Sequence, residues 1–440
     1  MPCPNCGRSP SILSRRGAGS STWKRTGMSP KRYRLLYFSG YEWGNLGRRK
    51  TRLAWEFAQR PEVTGILYVE PPVTTGVLDL ARGRFGPGHL PPTRRAHLDA
   101  LRGRPRRVDG GVWTLTGSEK SLPLTRLEGV RQWKALQRLN RALYIHRIRA
   151  ALRRLGPGPV ILWLSHPLQA WALDAFPERI LCCYDWTDDW AAFEVLPVAD
   201  REELIRLNDR LLLEADVVFA VSEILYRRAR RVNGSACRAP NATDPTVVGV
   251  AAEPGSVAAE LVNLPRPVAG YVGQIADKID YGLLEALADA RPTWSFVFVG
   301  NVWDNHRHQA AALDARSNVH FLGRRNFHDL PAYFRGFDVC ILPHAITPLT
   351  RSMDPIKLYD YLATGKPIVS TPVAGVERFA DVVHVGEGAG GFLTALEKAL
   401  REPPDLRERR LRYAQENAWA RRAEEMWSVL HSHLKEQVGA

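Results

Sequence analysis

The stretch Cys340–Thr371, CILPHAITPLTRSMDPIKLYDYLATGKPIVST, limits this chain more than any other. Cys340-Ile341-Leu342 reads as the end of a buried strand, and Asp354-Pro355 opens a helix, with Asp as N-cap and Pro at the first helical position. The helix runs to about Ala363, where Gly365 stops it and Pro367 blocks continuation; Ile368–Thr371 is the next strand. Leu358, Tyr361 and Leu362 share the core-facing stripe, and Lys357 and Asp360 lie three apart on a neighbouring face. A helix that starts at the carboxyl end of a parallel strand offers free N–H groups and a positive dipole end to an anion. Lys357 adds a mobile cation, and Asp360 an acceptor for ribose hydroxyls. The same spacing equally describes a solvent-facing Lys–Asp pair. An Asp354 cap would compete with a phosphate for the same N–H groups.

These residues resemble the donor-binding motif P-x-K-x-x-E-Y-L-A-x-G-K-P-V-V-S-T of group 1 retaining glycosyltransferases, nearest to those of bacterial cell-surface polysaccharide synthesis. Pro355, Lys357, Tyr361, Leu362, Ala363, Gly365, Lys366, Pro367, Ser370 and Thr371 match; the acidic position is Asp360 in place of Glu, and the Glu that the wider family carries eight positions earlier is Ser352 here. Gly273-Gln274 through Lys278 and Asp280 is similar to the family's phosphate loop, with Gln274 where an Arg is common. Trp43, Arg49, Leu53 and Ala54 look like its opening motif, and Pro240-Asn241-Ala242-Thr243-Asp244 like its P-N-G-x-D.

The resemblance spans about residues 33–430. It implies an α/β GT-B fold: two Rossmann-like domains facing a central cleft, with the last helix crossing back to the first domain. The implied division is a tail at 1–27, an acceptor domain at 28–244, a linker at 245–265, a donor domain at 266–415 and a terminal helix at 416–440. It implies transfer of a sugar from a nucleotide-diphosphate sugar, a UDP-sugar by expectation, to a glycan or lipid-linked acceptor with retained configuration. It implies no cofactor beyond that co-substrate and no metal. By the same resemblance Lys278 and Lys357 are catalytic candidates, and His166 joins them from its place at a strand end. Gly273, Gln274, Asn301, Gly323, Arg351, Asp354, Pro355, Leu358 and Asp360 are the donor-binding candidates. Gly44, Arg49, Asp185 and Asp188 are candidates for the acceptor cleft. A sugar-nucleotide epimerase using the same pocket, or a non-catalytic basic binding protein, are the competing readings.

The rest of the chain adds detail. Arg34–Ser39 reads as a first strand, followed by a Gly-containing loop and a helix over 51–59, but without G-x-G-x-x-G. His166 follows the strand Val160–Leu164, at the edge where open α/β sheets bind ligands. Asp185-x-x-Asp188-Asp189 follows another strand; it is either a metal-binding carboxylate cluster or a polar cleft loop that also caps the next helix. Cys3-x-x-Cys6 is half a zinc knuckle with no second half, in a Ser-, Gly- and Arg-rich tail that precedes an alternative start at Met28.

Six cysteines in 440 residues suit a reducing cytoplasm better than a disulfide framework. No apolar run approaches the roughly 18 residues of a membrane span. Charge is distributed unevenly: residues 1–150 carry 29 Lys and Arg against 9 Asp and Glu, the remainder 32 against 37. A basic helix over 131–153 concentrates this charge. An anionic inner membrane surface, a nucleic acid or a well-solvated Arg-rich face would each account for it. The absence of a nucleic-acid motif argues against the second, and the expected location is cytoplasmic, peripheral on the inner membrane.

Overall fold

The computed structural model describes residues 32–44, 48–72, 94–117, 134–192 and 198–439. The tail at 1–27, the Cys3–Cys6 pair and the expected start of the basic helix at 131–133 lie outside those residues.

Two parallel sheets organise the chain. The first contains β1 Tyr33–Phe38, β2 Val63–Val69, β3 Arg106–Arg107, β4 Val112–Leu115, β5 Val160–Leu164, β6 Leu181–Trp186, β7 Val217–Ala220 and β8 Ala236–Arg238. Their order is β3-β4-β2-β1-β5-β6-β7-β8, with only β3 antiparallel to its neighbour. The second contains β9 Val268–Val272, β10 Ser295–Val299, β11 Val319–Gly323, β12 Val339–Leu342, β13 Ile368–Ser370 and β14 His384–Val385, ordered β11-β10-β9-β12-β13-β14. The strands are near-continuous apolar runs because helices cover both faces, as in β5, whose five residues VILWL are all buried.

Aromatic packing ties the first sheet to the end of the chain. On one face Tyr37 stacks on Tyr68 at 5.5 Å and on Trp163 at 5.4 Å, and Trp163 on Phe219 at 5.6 Å. Over this row lies the final helix, Trp419–Gly439, with Trp419, Met426, Trp427, Leu430 and Leu434 in the first domain's core. Trp427 meets Phe57 at 5.8 Å between ring centroids. Each buried indole removes roughly 150–250 Å² from water, an upper bound of about 4–6 kcal/mol. The crossing helix therefore holds the two domains in one body. Its break from the preceding helix, Asp405–Glu416, falls at Asn417. The 245–265 segment, read as patternless linker, contains a turn of 3-10 helix at Gly249–Ala252 and a short helix at Ala259–Val262.

Candidate functional site

The carboxyl ends of β9, β10 and β12 face the first domain across a cavity of about 550 Å³. Its second-domain wall is built from two strand-end turns packed too closely for any side chain. A Cβ on Gly300 would lie 1.7 Å from the Gly273 carbonyl oxygen, and Gly273 N–H donates to the Val299 carbonyl at 3.0 Å. Tyr271 OH donates to the Gln274 carbonyl at 3.0 Å, holding the turn that follows β9. Lys278 is fixed in the next loop: its carbonyl accepts from Ala345 N–H at 2.9 Å, and Asp280 caps helix Tyr281–Ala290. Gly273, Gln274, Lys278, Asn301, Asp354, Pro355 and Lys357 all line the cavity.

The helix carrying Lys357 begins one residue later than the sequence implies. It spans Ile356–Thr364, with Pro355 in the N-cap position and no side chain capping it. Asp354 is not the cap; its carboxylate accepts from Tyr359 OH at 2.9 and 2.8 Å and from Asn241 N–H at 2.6 Å. Burial raises the pKa of this carboxyl against the pull of Arg378. The expected competition between Asp354 and a phosphate is therefore absent, and the helix N-terminus opens on the cavity without a side-chain cap. At the other end Gly365 adopts the left-handed conformation at φ 67°, as the stop signal requires. Ahead of this helix the sequence reads as loop, but Thr347 and Pro348 start a one-turn helix, Pro348–Ser352, capped by the Thr347 hydroxyl.

Several expected site residues lie elsewhere. Asp360 is 3% exposed, accepting from Thr243 Oγ1 at 2.8 Å and from Lys357 Nζ at 3.0 Å; both oxygens are engaged below the cavity rather than aimed at a ribose. Its helical register turns it toward the seam with the first domain, where Thr243 lies. Leu358 is fully buried core. Gly323 stands behind the wall, its carbonyl accepting from Gly300 N–H. Arg351 lines a different pocket. Asp185, fully buried, pairs with the Arg49 guanidinium at 2.7 Å, and Arg49 also donates to the Pro240 carbonyl at 3.1 Å. Asp185 thus anchors the cleft floor from below, while Arg49 still borders the cavity. Gly44 supplies a positive-φ turn, at 119°, outside the lining.

The carboxylate cluster diverges. Asp185 serves Arg49, Asp189 accepts from Arg228 at 2.5 Å, and Asp188 alone borders the cavity. Among the described residues no three His, Cys, Asp or Glu side chains form a metal-binding group. His166 lies off the cavity lining; its Nδ1 accepts from Leu168 N–H at 3.1 Å and its ring sits 4.2 Å from that of Trp190. Burial, helped by Lys50, depresses its pKa to about 4.

The first domain contributes residues that sequence reasoning missed. Tyr41, Arg48 and Lys50 line the cavity, with the Arg48 guanidinium 4.4 Å above the Tyr41 ring and Lys50 Nζ donating to the Ser165 carbonyl at 3.0 Å. Burial lowers the pKa of Lys50 and raises that of Tyr41 to about 12. Trp303 and His344 come from the second domain, and Arg324 also lines the cavity. His344 is 4% exposed, and among the described residues neither of its buried ring nitrogens has a hydrogen-bond partner. Burial, reinforced by Lys278, lowers its pKa to about 3. Its position just past a strand end, like that of His166, was the available signal.

Residues 266–402 match the family described as glycosyl transferases group 1. The match covers most of the second domain and none of the first. A Bacillus subtilis (strain 168) protein provisionally assigned as the teichuronic acid biosynthesis glycosyltransferase TuaH is 29% identical over 159 residues. That alignment spans 34% of this chain and 40% of the relative's length. Among solved structures, sucrose-phosphate synthase from Thermosynechococcus elongatus superposes with TM-score 0.64 at 15% identity, covering 91% of this chain and 99% of that one. Anabaena HepE, in complex with UDP and glucose, superposes with TM-score 0.58 at 14% identity, covering 91% and 100%. A trehalose-6-phosphate structure from E. coli, bound with UDP-2-fluoro glucose, gives 0.60 at 14%, covering 90% and 98%. The two domains together have the GT-B fold.

Proposed function

We propose that this chain transfers a sugar from a nucleoside-diphosphate sugar to a glycan or lipid-linked acceptor, with retention of configuration. The observation that carries the reading is the convergence of Lys278, Lys357 and the uncapped N-terminus of helix Ile356–Thr364 on the interdomain cavity. The barrier to glycosyl transfer arises largely from negative charge gathering on the leaving diphosphate as the sugar becomes oxocarbenium-like. Cations and N–H groups fixed before the reaction stabilise that charge without reorganising. On this reading Lys278 and Lys357 hold the diphosphate, Asn301 and Arg324 border the nucleoside, and Arg48, Lys50 and Asp188 face the acceptor.

UDP is the favoured donor nucleotide, since two structures that share the fold contain UDP or a UDP-sugar analogue. The acceptor is assigned to cell-surface polysaccharide, by analogy with the Bacillus subtilis relative. Among the described residues no helix is long and apolar enough to cross a membrane. A lipid-linked acceptor would instead be met by peripheral docking through the first domain. Helix Lys134–Arg153 buries Tyr144, Ile148 and Leu152 and leaves Arg138, Leu139, Arg141 and Arg153 exposed.

Calorimetric titration with a panel of nucleoside diphosphates tests the donor assignment. UDP is expected to bind, and binding by none of the panel would refute it.

A further inference from the structure

A second cavity, of about 470 Å³, opens on the same interdomain seam. The first domain supplies Ile224 and Arg228; the second supplies Ile346, Arg351 and Ser352. The two cavities stand back to back. Leu349 and Met353 face the donor cleft, while Arg351 and Ser352 on the same turn face this pocket. Across the seam Asp188 borders the cleft, and its neighbour Asp189 holds Arg228 at 2.5 Å. Ser222 Oγ donates to the Ser352 carbonyl at 2.5 Å, so the two domains touch beside the pocket.

The charge here is unbalanced. Two guanidiniums meet one carboxylate, and among the described residues none pairs with Arg351. Beside them Ile224 and Ile346 are 39% and 38% exposed. Planar guanidinium forks match the oxygens of a phosphoryl group, and the isoleucines favour an apolar body next to it. We infer that this pocket binds the phosphoryl group of a phosphorylated acceptor or lipid carrier, one helical turn from the donor cleft. The inference rests on the reading of the main cavity as the donor site. Because Arg228 and Arg351 come from opposite domains, the bound group contacts both and draws them together.

The test uses full-length protein saturated with UDP, titrated calorimetrically with inorganic phosphate and with octyl phosphate. Both are expected to bind, and Arg351→Gln and Arg228→Gln are each expected to weaken binding at least about tenfold, as for loss of a charge-assisted hydrogen bond. Arg351→Lys, which keeps the charge and loses the fork, falls between. UDP affinity stays unchanged in all three variants. Tighter binding of octyl phosphate assigns the group to a lipid carrier, and equal binding to a sugar phosphate. Failure of both phosphates to bind, binding indifferent to Arg351, or loss of UDP affinity in Arg351→Gln overturns the inference. If UDP itself does not bind, the donor reading fails, whereas phosphate binding that needs Arg351 but not Lys357 still supports the pocket.

Discussion

Lys357→Ala separates binding from folding in a way that the Lys357–Asp360 geometry makes quantitative. Lys357 Nζ lies 3.0 Å from Asp360 Oδ2, with side-chain exposures of 22% and 4%. Removing the ammonium takes a charge-assisted contact from the bound diphosphate, worth about 1.5–3 kcal/mol, so UDP affinity should fall roughly ten- to hundredfold. It also leaves a buried carboxylate held only by Thr243, and an unpaired buried charge costs on the order of 3–5 kcal/mol when nothing relaxes. Water reaching the site past the missing side chain lowers that cost, so a destabilisation of about 1–3 kcal/mol is expected. Asp360→Asn in the Lys357→Ala background removes the stranded charge and should restore most of the stability but none of the affinity. Asp360→Asn alone should keep UDP affinity within about threefold, because its oxygens serve Lys357 and Thr243 rather than a ribose. Calorimetry with UDP and urea unfolding of the four proteins measure both axes. Unchanged affinity in Lys357→Ala would refute the diphosphate role. Affinity lost in Asp360→Asn as fully as in Lys357→Ala would return Asp360 to the ribose.

Other outcomes follow from the same geometry. Arg49→Met strands the fully buried Asp185 and should cost about 3–5 kcal/mol in urea unfolding, while adding Asp185→Leu should recover much of it; a loss under about 1 kcal/mol would disprove the anchoring role. Gly300→Ala forces a methyl group into the Gly273 backbone and should destabilise by about 1–3 kcal/mol while weakening UDP, whereas wild-type affinity would contradict so tight a wall. His344 is held neutral in the fold with a pKa near 3, so the unfolded chain binds the extra proton between about pH 3 and 6.5 and stability falls as pH drops through that window. From pH 7 to pH 5 this amounts to about 2 kcal/mol, and urea midpoints should show a smaller pH dependence for His344→Phe than for wild type; equal slopes would refute it. Exposed arginines gain about 1 kcal/mol each near an anionic leaflet, so co-sedimentation should be salt-sensitive with anionic vesicles and absent with zwitterionic ones, and equal recovery on both would sink the docking proposal.

The strand–helix–strand unit from Cys340 to Thr371 was legible in the sequence because its determinants are local: an apolar run, a Pro at the helix start and a left-handed Gly365 at its end. From it came the strand-end location of the site, while the family resemblance implied the two-domain α/β class and set Lys278 beside Lys357. What lies across the cavity was not legible, because contacts between residues more than a hundred positions apart leave no periodic trace. Arg49 with Asp185, Asn241 with Asp354 and Thr243 with Asp360 are such pairs. Each consumes a polar group that spacing alone would offer to a ligand. Burial decides which carboxylates stay available: a charge without water must find its partner inside the protein, so Asp185, Asp354 and Asp360 became structural while Asp188 was left facing the cleft. Sequence determined which elements form and which edge binds; only the docking of one domain on the other decided which side chains remain free to do so.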